Sequence, residues 1–315
     1  MRVAITGVSG YLGTRLLAYL DQRPEIETII GMSRTRPSYD SKKLSFHSMD
    51  INGPIGDVLA GHQVDALVHL AWVFEPTHDE EAARRVNVGG TRNVLRVCDE
   101  LGIKKIVYAG STTAYGAHPD NPVPLTEDRP VRGNPLFQYS RDKAAVDAIL
   151  REYQGSHSDA CLSITRVCIV VGPNTDNYLA RYMSRPVVFT VRGYDPPLQF
   201  LQEDDFVAVM TKLVMHDFPG VYNLAGDGTV QLSELGRLFG ARVVPLPYRV
   251  IHPLMAAFWA LRVKAVVEAP PSLLDFIRFP WVADCSKAKR ELGFQPRYTS
   301  QEALLSYIEA HRSSR

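Results

Sequence analysis

The sequence predicts an α/β fold: a doubly wound parallel sheet with a smaller C-terminal α/β domain. Three observations predict it. A short apolar run leads at once into a turn with glycines three apart, "AITGVSGYLG". Short β-branched runs then alternate with helical patterns through the first half of the chain. Those runs are continuously apolar rather than alternating, so both faces of the sheet are buried.

The elements follow in order. "RVAIT" is the first strand, and Gly7, Gly10 and Gly13 follow it and open a helix. Gly7 permits a tight turn, Gly10 lets a pyrophosphate approach the backbone, and Gly13 lets the helix pack close to the strand. The backbone of Ser9, Tyr11 and Leu12 completes this turn, and the helix start aims its N–H groups at phosphate. "ETIIGM" is the second strand. An acidic residue at its end would bond the adenosine ribose; Ser33 and Arg34 stand there instead, with Arg36 nearby. A hydroxyl and a guanidinium suit a 2′-phosphate, so NADP is the preferred cofactor and NAD the possible one. "KLSFH" is the third strand; Asp50 and Ile51 after it face adenine, or Asp50 caps the next helix.

"ALVHLA" is the fourth strand, with Leu70, Ala71 and Trp72 at its end. Residues 79–101 read as one helix with Val86, Val94 and Val97 on a shared face. "KIVYAGS" is the fifth strand and ends at Ser111. "YSRDK" places Tyr139 and Lys143 four apart, on one face of a helix. A nearby ammonium lowers a phenol from its ordinary pKa near ~10, so that it can exchange protons near neutrality. Ser111 lies at the sheet edge where ligands of such folds bind. "LSITRVCIVVG" reads as one strand. Residues 1–172 form the dinucleotide-binding domain and 173–315 the substrate domain, which is free to return a strand to the main sheet. "GVYNLA" and "RVVPL" are its strands. "HPLMAAFWALRV", from His252, is read as a buried or pocket-lining helix rather than a membrane-surface one.

Composition narrows the partners. The chain of 315 residues carries 35 Lys and Arg against 34 Asp and Glu, for a net charge of +1. That argues against a nucleic-acid surface. The four cysteines, Cys98, Cys161, Cys168 and Cys285, form no close pair, as in a reducing cytoplasm. No histidine or cysteine spacing suggests a metal. No apolar run approaches the ~20 residues of a membrane span, and no leader pattern precedes the first strand.

Together these segments resemble the extended short-chain dehydrogenase/reductase superfamily, which includes the NAD-dependent epimerases and dehydratases. The resemblance covers nearly the whole chain. "TGVSGYLG" is similar to its nucleotide turn, and "MDI", "HLAW" and "NVGGTRNVL" to its later landmarks. "STTAYG", "YSRDK", "TRVCIVVGP", "LQEDDFVAVM", "YNLAGDG" and "SKAKRELGFQP" match it as well. It implies a Rossmann fold. It also implies Tyr139 as general acid/base, Lys143 on the nicotinamide ribose, and Ser111, with Thr112 beside it, holding the substrate oxygen. Asn87 lies near the site or serves its own helix. Helices 79–101 and 135–153 resemble a homodimer interface.

Two positions depart from the nucleotide-sugar members. Leu198 and Gln199 stand where an arginine is frequent, and Ile169 stands where an asparagine is frequent. Arg181, Arg185 and Arg192 lie in nearby loops and are able to compensate. Trp72, Phe74 and Phe137, with Phe258 and Trp259, suggest an apolar pocket for a small-molecule carbonyl or alcohol. The expected activity is hydride transfer between nicotinamide and that substrate. A nucleotide-sugar epimerase or dehydratase is the alternative, and a non-catalytic nucleotide sensor is the second.

Overall fold

The computed structural model describes residues 1–312. Seven parallel strands form the central sheet. In chain order the first six are β1 (Arg2–Thr6), β2 (Thr28–Ser33), β3 (Leu44–Ser48), β4 (Ala66–His69), β5 (Lys105–Ser111) and β6 (Cys161–Val167). Their spatial order is 3-2-1-4-5-6, and strand Gly220–Leu224 adds beside β6. The order reverses between β1 and β4, so the crevice of the doubly wound sheet opens at the ends of those strands.

Two buried layers clamp the sheet. On one face helix α1 (Tyr11–Asp21) buries Leu16, Leu17 and Leu20 against Phe206, Val207 and Met210 of helix Glu203–Met215. Each such side chain contributes about 1.5–3 kcal/mol. On the other face, helices Gly90–Leu101 and Gln138–Ser156 bury Val94, Val97, Val146 and Leu150. Gly102 ends the first of these at φ +66°, a left-handed stop that suits glycine.

The chain does return to the main sheet, through helix Glu203–Met215 and strand Gly220–Leu224. Residues 200–225 therefore belong structurally with the first part, beyond the boundary at 172. "LSITRVCIVVG" is two strands, not one. β6 ends at Val167, and Ile169–Val171 leaves the sheet to pair with Phe200–Gln202. "RVVPL" is strand Arg242–Leu246 and pairs in parallel with Val187–Val191. The single helix expected over 79–101 is interrupted. Helix Glu80–Arg84 passes through a wider π-helical turn, Arg85–Gly89, before Gly90–Leu101 begins. Asn87 sits in that turn, fully buried; its Oδ1 accepts from Val73 N (2.9 Å) and its Nδ2 donates to Asp142 (3.2 Å). The widened turn thus ties the loop after β4 to helix Gln138–Ser156.

Candidate active site

Local chemistry explains the glycine turn. Gly7 has φ +71°, and a Cβ there would lie 2.7 Å from Ala71 N. A Cβ on Gly13 would lie 2.2 Å from Gly7 O. Neither position accepts a side chain, so the turn, α1 and the loop after β4 meet backbone to backbone. Gly10 caps α1 with no side chain, and no acidic residue occupies the first helical turn. The free N–H groups and the positive helix end face a cradle that fits a pyrophosphate. By this test the residues present fit a dinucleotide.

His69 and Thr6 hold that cradle from below. His69 is buried and bridges Thr6 Oγ1 (2.7 Å) and Thr91 Oγ1 (3.0 Å). Burial, with a smaller effect from Lys143, pushes its pKa down to about 3, so it is a neutral bridge. The Thr6 hydroxyl accepts from Leu70 N and Ala71 N (3.2 and 3.3 Å).

A cleft of about 910 Å³ runs from the glycine turn between the sheet edge and the C-terminal part. Gly7, Gly10, Tyr11, Leu12, Gly13, Arg34, Leu70, Trp72, Ser111, Phe137, Tyr139 and Lys143 all line it. Ser9, Ser33, Asp50, Ile51 and Ala71 do not. Ser33 donates to Thr35 O (2.8 Å), and Thr35 Oγ1 donates to Ser9 Oγ (3.1 Å), tying the ends of β1 and β2 together. Asp50 accepts from Asn52 N (2.9 Å) and so closes a turn. It does not cap the next helix, whose N-cap is Pro54. Ile51 is buried, and a Cβ on Gly90 would meet it at 2.5 Å. The Tyr11 phenol bonds Glu203 and Thr175.

Ser111, Tyr139 and Lys143 converge. Ser111 caps a short 3₁₀ turn, Thr112–Tyr115. Its Oγ accepts from Thr113 N (3.2 Å) and Thr113 Oγ1 (2.9 Å). Burial raises the Tyr139 phenol well above its ordinary value, and a hydrogen bond from Ser111 works the other way. Lys143 Nζ donates to Tyr108 Oη (3.1 Å) and Ala109 O (3.0 Å), and the Trp72 ring stands 3.6 Å from it. Burial pushes the ammonium well below its ordinary range. The expected lowering of the phenol by Lys143 is therefore absent. Nζ stands 5.8 Å from the Tyr139 ring centre, and burial dominates both groups.

Thr112 does not line the cleft. It is buried, and its Oγ1 donates to Val167 O (3.4 Å). Thr113 lines the cleft instead. Phe74 and Phe258 line the cleft, as do Leu198 and Ile169. Trp259 does not; it stacks on His78 with ring centres 4.0 Å apart. Gln199 is structural, exchanging hydrogen bonds with the Ala283 backbone (2.7 and 3.0 Å).

The acidic lining had no local sequence signal. Glu75, Asp176 and Glu268 line the cleft from three distant segments. Arg181 is engaged by all three (2.9, 3.4 and 2.9 Å). Arg185 bonds Glu268 (3.1 Å) and Val266 O (2.6 Å). Arg192 lies outside the cleft lining, its guanidinium 3.5 Å from Pro245 O. Among the described residues no group of three or more metal-ligating side chains occurs.

Comparisons with known proteins agree with this fold. An uncharacterized protein of Mycobacterium tuberculosis is 30% identical over 319 residues, spanning 97% of this chain and 83% of its own length. The structure of MoeE5 in complex with UDP-glucuronic acid and NAD superposes with TM-score 0.77 at 22% identity, covering 100% of both chains. The UDP-glucose 4-epimerase of Thermotoga maritima, solved with UDP-glucose, gives TM-score 0.75 at 16% identity, covering 100% of this chain and 99% of that one. Residues 3–225, which hold the glycine turn and the Ser111, Tyr139 and Lys143 site, match the NAD dependent epimerase/dehydratase family, and the chain is a member of that family of enzymes.

Proposed function

We propose that the protein is an NADP-preferring reductase or dehydrogenase of an apolar carbonyl/alcohol pair. The lining of the cleft carries this reading. Its cations are Arg34, Lys143 and Arg185, against the acids Glu75, Asp176 and Glu268. Arg34 stands at the nucleotide end, Lys143 is engaged by Tyr108 and Ala109, and Arg185 is paired with Glu268. The substrate end offers Ile169, Leu198, Phe137, Phe258 and Met255. A sugar-nucleotide diphosphate enclosed there would lack cationic partners and meet carboxylates.

Gly7, Gly10, Gly13 and the start of α1 would hold the dinucleotide pyrophosphate, and Arg34 its adenosine end. The nicotinamide of a bound cofactor would supply or accept the hydride. Tyr139 Oη gives its proton to the substrate oxygen in reduction and takes it back in oxidation. Ser111 holds the same oxygen. Lys143 Nζ would bind the nicotinamide ribose. The apolar walls exclude water from the reacting carbonyl.

The test compares uncharged apolar ketones and aldehydes with UDP- and dTDP-sugars, following reduced nicotinamide by absorbance and binding by thermal shift. Apolar carbonyls are consumed with NADPH, and nucleotide sugars neither shift the melting point nor react. Micromolar binding of a nucleotide sugar, abolished by Arg185→Ala, establishes the epimerase reading. The nucleotide sugars bound in the MoeE5 and Thermotoga maritima structures favour that second reading.

Cofactor choice gives a separate expected result. Arg34 is exposed and makes no ion pair among the described residues. One charged hydrogen bond to the 2′-phosphate, screened by solvent, favours NADPH over NADH by about 1–2 kcal/mol, or roughly 5- to 30-fold. Calorimetric titration with both nucleotides reads this directly. Equal affinities would assign the site to NAD, and an unchanged ratio in Arg34→Ala would remove Arg34 from the discrimination.

We place the enzyme in the cytoplasm, in keeping with its four free cysteines. No described helix is long and apolar enough to cross a membrane. We also propose a homodimer through the helical segments 79–101 and 135–153, where Leu101 and Leu136 are exposed. Light scattering then gives twice the chain mass of 35.1 kDa, and a monomer mass at micromolar concentration refutes it.

A further inference from the structure

Helix Tyr248–Ala260 departs in part from its reading as a buried or pocket-lining helix. Ile251, Met255 and Phe258, spaced by four and three, do face the cleft. Val250, Leu254 and Leu261 point to solvent, Leu261 at 74% exposure. Four further facts bear on that outer face. Val187, Phe189, Leu254 and Val266 are exposed and also line the cleft, so the cleft opens through an apolar rim. Val250 and Leu261 extend the apolar surface beyond the cleft lining. Residues 241–267 contain Arg242, Arg249, Arg262 and Lys264 and no acidic residue, in a chain whose net charge is only +1. All four cations are exposed and form no ion pair among the described residues.

An exposed apolar face of this kind marks a contact surface. A helix with one apolar face and flanking Lys and Arg has the chemistry of a segment that lies in a lipid interface. The local excess of positive charge selects an anionic surface over a neutral one. We propose that this rim, formed by helix Tyr248–Ala260 with Val187, Phe189 and Val266, docks on an anionic lipid bilayer. An apolar substrate passes from the bilayer directly into the cleft. The route for substrate rests on the apolar-carbonyl reading above; the docking itself does not, because it is measured without substrate. The inference departs from the expectation of no membrane partner and from the reading of this helix as pocket-lining rather than membrane-surface.

The experiment is co-sedimentation of the full chain with two kinds of vesicle, phosphatidylcholine alone and phosphatidylcholine mixed with phosphatidylglycerol. The protein pellets with the mixed vesicles at low salt, and much less with the neutral ones or at high salt. Leu261→Asp and the double variant Arg262→Glu, Lys264→Glu each reduce binding by about tenfold or more. Both leave calorimetric cofactor binding and the consumption of a water-soluble carbonyl unchanged, since neither site lines the cleft. No sedimentation with anionic vesicles overturns the proposal, as does binding that these variants leave intact. If Leu261→Asp instead converts a dimer to a monomer by light scattering, a second copy of the chain covers this face, and the lipid proposal is likewise overturned. Docking with no turnover of any apolar carbonyl retains the lipid surface and rejects only the assigned activity.

Discussion

Tyr139→Phe lowers carbonyl turnover by about 10²–10⁴-fold, the usual loss when a positioned acid is removed. The ring stays. Tyr139 packs edge-on against Phe74 and Trp72, with ring centres 5.3 and 6.0 Å apart, and phenylalanine keeps those contacts. Cofactor affinity and melting temperature therefore remain near the parent values. Lys143→Ala behaves differently, weakening both turnover and cofactor binding, because one ammonium is assigned to the ribose and to the site's charge. The pH dependence has a defined sign. Burial raises the phenol in the free enzyme, so it keeps its proton through neutrality. The kcat/KM for reduction stays flat to alkaline pH and falls only as the phenol ionises. Oxidation needs the deprotonated form and rises with pH over the same range. A Tyr139→Phe enzyme with parent turnover removes this residue from the chemistry.

The legible parts of the sequence were those with local physical signatures. The glycine spacing of Gly7, Gly10 and Gly13 encodes close backbone contacts, and the structure has them at Ala71 and Gly7 O. The apolar runs encode strands, and six of them plus "GVYNLA" form the parallel sheet, although the edge strand Leu44–Ser48 has no buried residue. Tyr139 and Lys143 share a helical face, and Ser111 ends a strand beside them. What escaped depends on contacts across distant segments. Glu75, Asp176 and Glu268 become neighbours only through the fold, so no spacing announces that Arg181 and Arg185 are already paired. The π-helical turn at Arg85–Gly89 shifts the helix register by one residue, a change that an apolar pattern tolerates silently. Trp72 was legible as a pocket aromatic. Its position over Lys143 was not, because that depends on where the loop after β4 is anchored by Asn87.

Arg166→Met destabilises the fold by about 3–5 kcal/mol, the usual effect of breaking a buried ion pair on one side. Arg166 is fully buried near the end of β6. Its Nε and Nη2 bind both oxygens of Asp147 (2.7 and 2.9 Å). Its Nη1 donates to Tyr115 Oη (2.7 Å) and Glu127 O (3.0 Å), and Tyr115 Oη donates in turn to Asn223 Oδ1 (2.8 Å). One guanidinium therefore joins helix Gln138–Ser156, the turn after Ser111, the loop at Glu127 and strand Gly220–Leu224. Methionine matches much of its length but supplies no donor. Asp147 is then left buried, with Arg151 (3.0 Å) as its remaining cation. Because Arg151 is partly exposed, it offsets only a fraction of the loss. The double variant Arg166→Met, Asp147→Leu removes the stranded charge and recovers a substantial part of the stability, since an apolar pair in place of a buried ion pair is often neutral. Urea denaturation of the three proteins, with the slope held in common, measures both steps. A single variant whose midpoint matches the parent would show that water or Arg151 already neutralises Asp147, and that the network is an outcome of the fold rather than a support for it.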